Sequence, residues 1–197
     1  SLAYIHFSLI GMKRPFKVVF VGASAVGKSS IIHRIVDKQF YDITSSMSAS
    51  LFKYQINDLF FNIWDTAGQE RFDSITPMYY RGSQFVCLAL SVDNPVSYDK
   101  AKFWLREISM NADSGTKVIL VANKVDLGFE VSQETLAQFS KLNGMELCLV
   151  SAKTGEGIDE LLELIYRLAS NADVKSASGN QQIQNFEPEK KEKGCCE

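Results

Sequence analysis

Apolar positions along this chain recur with two different rhythms. Near-continuous apolar runs at residues 17–21, 85–92, 118–123 and 147–150 read as strands buried on both faces. Between them the period lengthens to that of a helix. One helix is expected over 28–37, and Pro95, well suited to a first helical turn, opens another that reaches about residue 111. Ser132 is placed as an N-cap, with Glu134 in the first turn, for a helix to about residue 142. Ile158, Leu161, Leu162, Ile165 and Leu168 then line one helical face. Residues 52–56 and 59–65 form two more strands joined at Asn57-Asp58, a turn pair, and so predict a hairpin and the one antiparallel element. Repeated strand-then-helix units predict a parallel sheet with helices on both faces and ligands beyond the carboxyl ends of its strands.

Smaller readings follow from the same pattern. Trp104, Phe103 and Ile108 are expected as helix core, Cys87 and Cys148 as small buried apolar residues, and His33 in the first helix is assigned no role. A length of 197 residues suits one domain. At 46% hydrophobic and 22% charged residues, most of the chain has the means to fold. The exceptions are the ends. Residues 1–11 are apolar but lack the charged start of a signal peptide, so 1–15 are read as a leader, disordered or non-native, with Met12 the native start. After about Ser170 the composition turns to Ser, Gly, Asn, Gln, Lys and Glu, which predicts a domain over 16–172 and a flexible tether over 173–197.

Charge and cysteine usage narrow the function classes. A formal net charge of -2 without a basic stripe argues against a nucleic-acid partner. Four cysteines, two in apolar runs and two adjacent at Cys195-Cys196, make neither a disulfide framework nor zinc-ligand spacing, which favours a reducing compartment. No run of 18 apolar residues exists to span a bilayer.

The chemistry sits where strands end. Gly22-Ala23-Ser24-Ala25-Val26-Gly27-Lys28-Ser29 fits G-x-x-x-x-G-K-[ST] between a predicted strand and a predicted helix, the context that this phosphate-binding loop requires. Its glycines let backbone wrap phosphate oxygens, and the N–H groups opening the helix, through Ser30, add partial positive charge. Lys28 is expected to reach the β- and γ-phosphates of a nucleotide, and the Ser29 hydroxyl to ligate Mg²⁺.

Choice of base falls to Asn123-Lys124-Val125-Asp126, at the end of the 118–123 strand. One carboxylate, Asp126, can accept from both N1–H and the 2-amino group of guanine, neither of which adenine offers. A carboxylate buried without its donors is costly, so rejection of ATP by roughly 10⁴ is expected of such readout. Ser151-Ala152-Lys153, after the next strand, offers a backbone N–H for the guanine carbonyl. Taken singly each is a weak signal, the first equally consistent with a solvated loop and the second with a helix cap; in order, after a phosphate loop, they reinforce one another. At the end of the hairpin, Trp64-Asp65-Thr66-Ala67-Gly68-Gln69-Glu70-Arg71-Phe72 places Asp65 to hold Mg²⁺ through water, the Gly68 amide to meet the γ-phosphate, and Gln69 to orient an attacking water.

These residues resemble the Ras superfamily and, within it, the Rab family of membrane-traffic GTPases. The resemblance covers about residues 16–170 and is most specific in the Trp64-to-Phe72 run, in Tyr79-Tyr80-Arg81-Gly82, in Ser24 of the phosphate loop and in the paired terminal cysteines. It implies an α/β fold of the P-loop NTPase class, a mostly parallel six-stranded sheet with one antiparallel strand and helices on both faces. It implies a monomer cycling between GTP and GDP with Mg²⁺, Gln69 and Lys28 serving catalysis. It also implies exchange factors, GTPase-activating proteins and effectors as partners. Phe40 matches the family's aromatic beside the guanine. Gly194-Cys195-Cys196-Glu197 does not fit C-a-a-X but resembles the doubly geranylgeranylated Rab tail, which implies prenylation and membrane-extraction machinery. It further implies a lipid anchor on the cytosolic face of an intracellular membrane, with a soluble cytosolic pool.

One departure stands out. Where the family carries a threonine that ligates Mg²⁺ and senses the γ-phosphate, seven residues after Phe40, this chain has Met47. A thioether suits hard Mg²⁺ poorly. Either a neighbouring hydroxyl of Thr44, Ser45, Ser46 or Ser48 takes over, or the loop does not close properly on GTP. Two functions therefore remain open: a slow GTPase acting as a traffic regulator, and a non-cycling guanine-nucleotide module that recruits partners to a membrane.

Overall fold

A computed structural model of the 197-residue chain describes residues 14–43, 49–66 and 80–179, the last seven of these by backbone alone. The described residues form strands β1 (Phe16–Val21), β2 (Ser50–Ile56), β3 (Leu59–Asp65), β4 (Phe85–Ser91), β5 (Lys117–Asn123) and β6 (Glu146–Leu149). Their helices are α1 (Lys28–Asp37), α2 (Pro95–Asn111), α3 (Gln133–Leu142) and α4 (Ile158–Gly179), with a single 3₁₀ turn at Val125–Leu127.

The strands join in one sheet in the order β2-β3-β1-β4-β5-β6. β2 and β3 pair antiparallel from Ser50↔Asp65 to Ile56↔Leu59, and every other neighbouring pair is parallel. The hairpin closes tightly because Asn57 takes φ 52°, a left-handed conformation that asparagine tolerates. This is the P-loop NTPase-like architecture expected from the pattern.

Alternation within β1 explains why its apolar run is unbroken. Val18 and Phe20 face one side, where Ile31, Ile32 and Ile35 of α1 and Leu161 and Ile165 of α4 pack. Val19 and Val21 face the other, against Ala101, Trp104 and Ile108 of α2 and Leu136 of α3. Both faces of the sheet are thus dry at β1, so the middle of that strand carries no polar side chain.

Helix starts follow local chemistry. The Asn94 side chain accepts hydrogen bonds from the N–H groups of Val96 and Ser97, with Pro95 in the first turn of α2. Ser132 accepts from the Thr135 N–H and starts α3. Two expectations change. Phe103 is 48% exposed, because the buried stripe of this helix runs through Ser97, Ala101, Trp104 and Ile108. Residues 173–179, expected in the tether, continue α4; alanine and lysine in this stretch favour helix. Among the described residues, no helix is long and apolar enough to cross a membrane.

Candidate functional site

The carboxyl ends of β1, β3, β5 and β6 converge on one cleft, as crossover topology dictates. The loop after β1 is packed tightly enough to require its glycines. Gly22 has φ 139°, and a Cβ there would lie 2.2 Å from the Ala89 carbonyl oxygen of β4. Gly27 has φ 93°, and a Cβ there would meet Asn123 Nδ2 at 2.3 Å. Val26 and Ala23 are buried against Ala89, while Ser24 and Ala25 face outward, Ala25 at φ 61°.

Lys28 lies at the centre of this loop, 5% exposed, its ammonium donating to the carbonyls of Gly22 (3.0 Å) and Ala23 (2.8 Å). Burial lowers its pKa to about 8, an effect opposed by the nearby Asp65 carboxylate. The Ser29 hydroxyl donates to Asp65 Oδ2 at 2.6 Å, which brings the two predicted metal ligands together at the start of α1. Both are oxygen donors. No cluster of three or more His, Cys, Asp or Glu side chains fit for a metal occurs among the described residues. Two protein oxygens beside a phosphate loop suit Mg²⁺, which keeps waters and substrate phosphates as its remaining ligands. Thr66, next in the chain, donates to the Phe20 carbonyl (2.7 Å) and pins the end of β3 to β1.

Asn123, 1% exposed at the end of β5, joins the two halves of the cleft. Its Nδ2 donates to the Val26 carbonyl (2.8 Å), and its Oδ1 accepts from the Ala152 N–H (3.1 Å). Lys124 adopts φ 68° and turns the chain into the 3₁₀ segment that carries Asp126. Asp126 lies exposed at the rim, its Oδ1 accepting from Ser151 Oγ (2.6 Å), and Ser151 is itself fully buried. The fold itself therefore leaves this carboxylate open to solvent. Ser30 donates to the Tyr41 carbonyl (3.0 Å) and holds the segment after α1 against the cleft. Phe40, 38% exposed, lines the cleft with Lys124, Asp126, Ala152 and Lys153, around about 360 Å³ of space. That is the size range of small-ligand sites.

The structure therefore brings together the glycine-rich loop, Ser29 with Asp65, and the segments expected to read the base. Gly68 and Gln69, Met47 with its hydroxyl neighbours, and Cys195 and Cys196 lie outside the described residues. Sequence reasoning missed the parts that work through backbone. Arg34 donates to the carbonyls of Ala152, Lys153 and Lys38, and Ile43, Asp42 and Leu127 complete the cleft wall. An arginine on the polar flank of a helix gives no signal of a partner 118 residues away. His33 hydrogen bonds Asp37 (2.6 Å) and packs edge-on against Tyr41 and Phe52, a structural setting.

Residues 17–171 match the model of the Ras family. Among curated proteins, the Ras-related protein Rab-5A of Dictyostelium discoideum is 35% identical over 192 residues, covering 92% of this chain and 95% of that protein.

Proposed function

The chain belongs to the Ras family of small GTPases and is related to Rab proteins, and on that footing we propose that it binds GTP and GDP with Mg²⁺, hydrolyses GTP slowly and regulates intracellular vesicle traffic from a membrane. The observation that carries this reading is the single Asn123 side chain bonded both to the phosphate loop and to the base-reading loop. That side chain ties the loop that would grip the phosphates to the loop that would read guanine, which supports their acting on one ligand.

On this reading the loop from Gly22 to Ser29 surrounds the phosphates with backbone N–H groups, and Lys28 turns its ammonium to the β- and γ-phosphates. Ser29, and Asp65 through water, would hold Mg²⁺, which supplies positive charge to the phosphate oxygens when bound. Asp126 accepts from the guanine N1–H and 2-amino groups, and Phe40 packs beside the base. The Gly68 amide senses the γ-phosphate. Gln69 orients a water that attacks the γ-phosphorus; the bond to the bridging β–γ oxygen breaks, leaving GDP and inorganic phosphate. No arginine is placed for this charge by the sequence, so the rate without a partner is on the order of 10⁻⁴ s⁻¹ and rises when an activating protein supplies one.

Cys195 and Cys196 carry the lipid chains that hold the protein on the cytosolic face of a membrane, with extraction returning it to a cytosolic pool. Exchange factors, activating proteins and effectors are its partners. A second reading, a non-cycling nucleotide-binding module that recruits partners to a membrane, is favoured by Met47 alone. Single-turnover GTP hydrolysis, wild type against Gln69→Leu, separates the two. The cycling reading expects slow turnover abolished by the substitution. A wild type as inactive as Gln69→Leu leaves the non-cycling module.

A further inference from the structure

Arg34 occupies the last turn of α1, flanking the buried stripe of Ile31, Ile32 and Ile35. Its guanidinium leaves the helix and reaches the loop after β6. Nε donates to the Ala152 carbonyl at 2.7 Å and Nη2 to the Lys153 carbonyl at 2.6 Å, so one edge of the planar fork takes two successive carbonyls. Nη1 donates to the Lys38 carbonyl at 3.0 Å, just where the chain leaves α1 with φ 58°. Charge-assisted hydrogen bonds of this kind are among the strongest available to a side chain.

The partners of Arg34 are the walls of the base cleft. Ala152 is held from two directions, its N–H by Asn123 and its carbonyl by Arg34. Ser151, one residue earlier, supports the Asp126 carboxylate. Lys38 leads two residues later to Phe40, which lines the same cleft as Lys153. Arg34 thus ties the Phe40 side of the cleft to the Ala152–Lys153 side. Six residues back along the same helix stands Lys28, and a helix rises about 1.5 Å per residue, so roughly 9 Å of rigid rod separates the two grips.

We propose that Arg34 is a positioning residue for base recognition: it fixes the gap between the cleft walls relative to the phosphate loop, and so sets both how long a guanine nucleotide stays and how well Asp126 discriminates it. This rests on the guanine-nucleotide reading above. Arg34 does not itself line the cleft. It acts through the carbonyls that it holds, and a lysine, with one point charge in place of a fork, can hold only some of them.

The test uses the full chain with Mg²⁺, as wild type, Arg34→Met and Arg34→Lys. Dissociation rates and affinities are measured for GDP and for inosine diphosphate, which lacks the 2-amino group that Asp126 reads. Arg34→Met should release GDP about 10- to 100-fold faster, the scale of losing several charge-assisted bonds. Its preference for GDP over inosine diphosphate should narrow by about threefold or more, because misplaced readout costs the fuller ligand more. Arg34→Lys should fall between. Equal weakening of both ligands would reduce Arg34 to a structural brace and overturn the proposal, as would unchanged rates and preference. If circular dichroism shows Arg34→Met unfolded, Arg34→Lys decides by the same two readouts. A wild type that binds neither GDP nor inosine diphosphate would remove the guanine-nucleotide reading itself. A wild type that binds both beside unaltered variants removes only the role of Arg34.

Discussion

At the scale of single residues, the loops around the cleft are held by close approach of backbone. Gly157, at φ 71°, sits where a Cβ would fall 1.9 Å from the Leu149 carbonyl oxygen. Gly144 has a similar φ of 63°, yet a Cβ there would meet nothing within 4 Å. Conformation alone therefore penalises Gly144→Ala by about 1–2 kcal/mol, while Gly157→Ala adds a clash and should cost roughly 2–5 kcal/mol. Urea unfolding of the nucleotide complex measures both, and equal losses would show that the β6–α4 loop yields. The cysteines make a second residue-scale prediction. Burial pushes the Cys87 thiol well up and Cys148 to about 11, so neither presents thiolate near neutral pH. A thiol reagent should leave both unmodified in the folded protein and label them only on denaturation, as peptide mapping would reveal.

At the scale of elements, α2 and α3 begin where a polar side chain accepts from N–H groups of the first turn. Asn94 satisfies two N–H groups that α2 cannot satisfy internally, and Pro95 contributes no N–H to be lost. Asn94→Ala should lower stability by about 1 kcal/mol, or about 2–4 °C in Tm for a chain of this size. Differential scanning calorimetry reads this directly, and a shift near zero would mean that Pro95 alone sets the start of α2. These starts were legible in sequence because caps are local chemistry. The run of α4 through residues 173–179 was not, because a shift to polar composition does not by itself end a helix that is already nucleated.

At the scale of the whole molecule, the sheet separates two cores. Leu161 of α4 is fully buried on the α1 side, and Leu88 of β4 is fully buried on the α2 side. Either residue replaced by alanine should cost about 2–5 kcal/mol through lost burial and the cavity left behind. The side chains lie on opposite faces without shared partners, so the double variant should lose the sum to within about 0.5 kcal/mol. Chemical denaturation of the three variants tests this; strong non-additivity would mean that the sheet transmits strain between its faces.

The sequence by itself determined the strands, the helices and the motifs at strand ends, because hydrophobic period, caps and glycine-dependent turns act within a few residues. It also placed Met47 at the position expected for a threonine, a matter of counting along the chain. Only the tertiary structure decided what holds the cleft in shape. Asn123 on Val26 spans 97 residues and Arg34 on Ala152 spans 118, and each meets a backbone carbonyl, a group that every residue carries. The pairing leaves no trace in residue type at the accepting end, so it emerges only once the sheet brings β1, β5 and β6 to one edge.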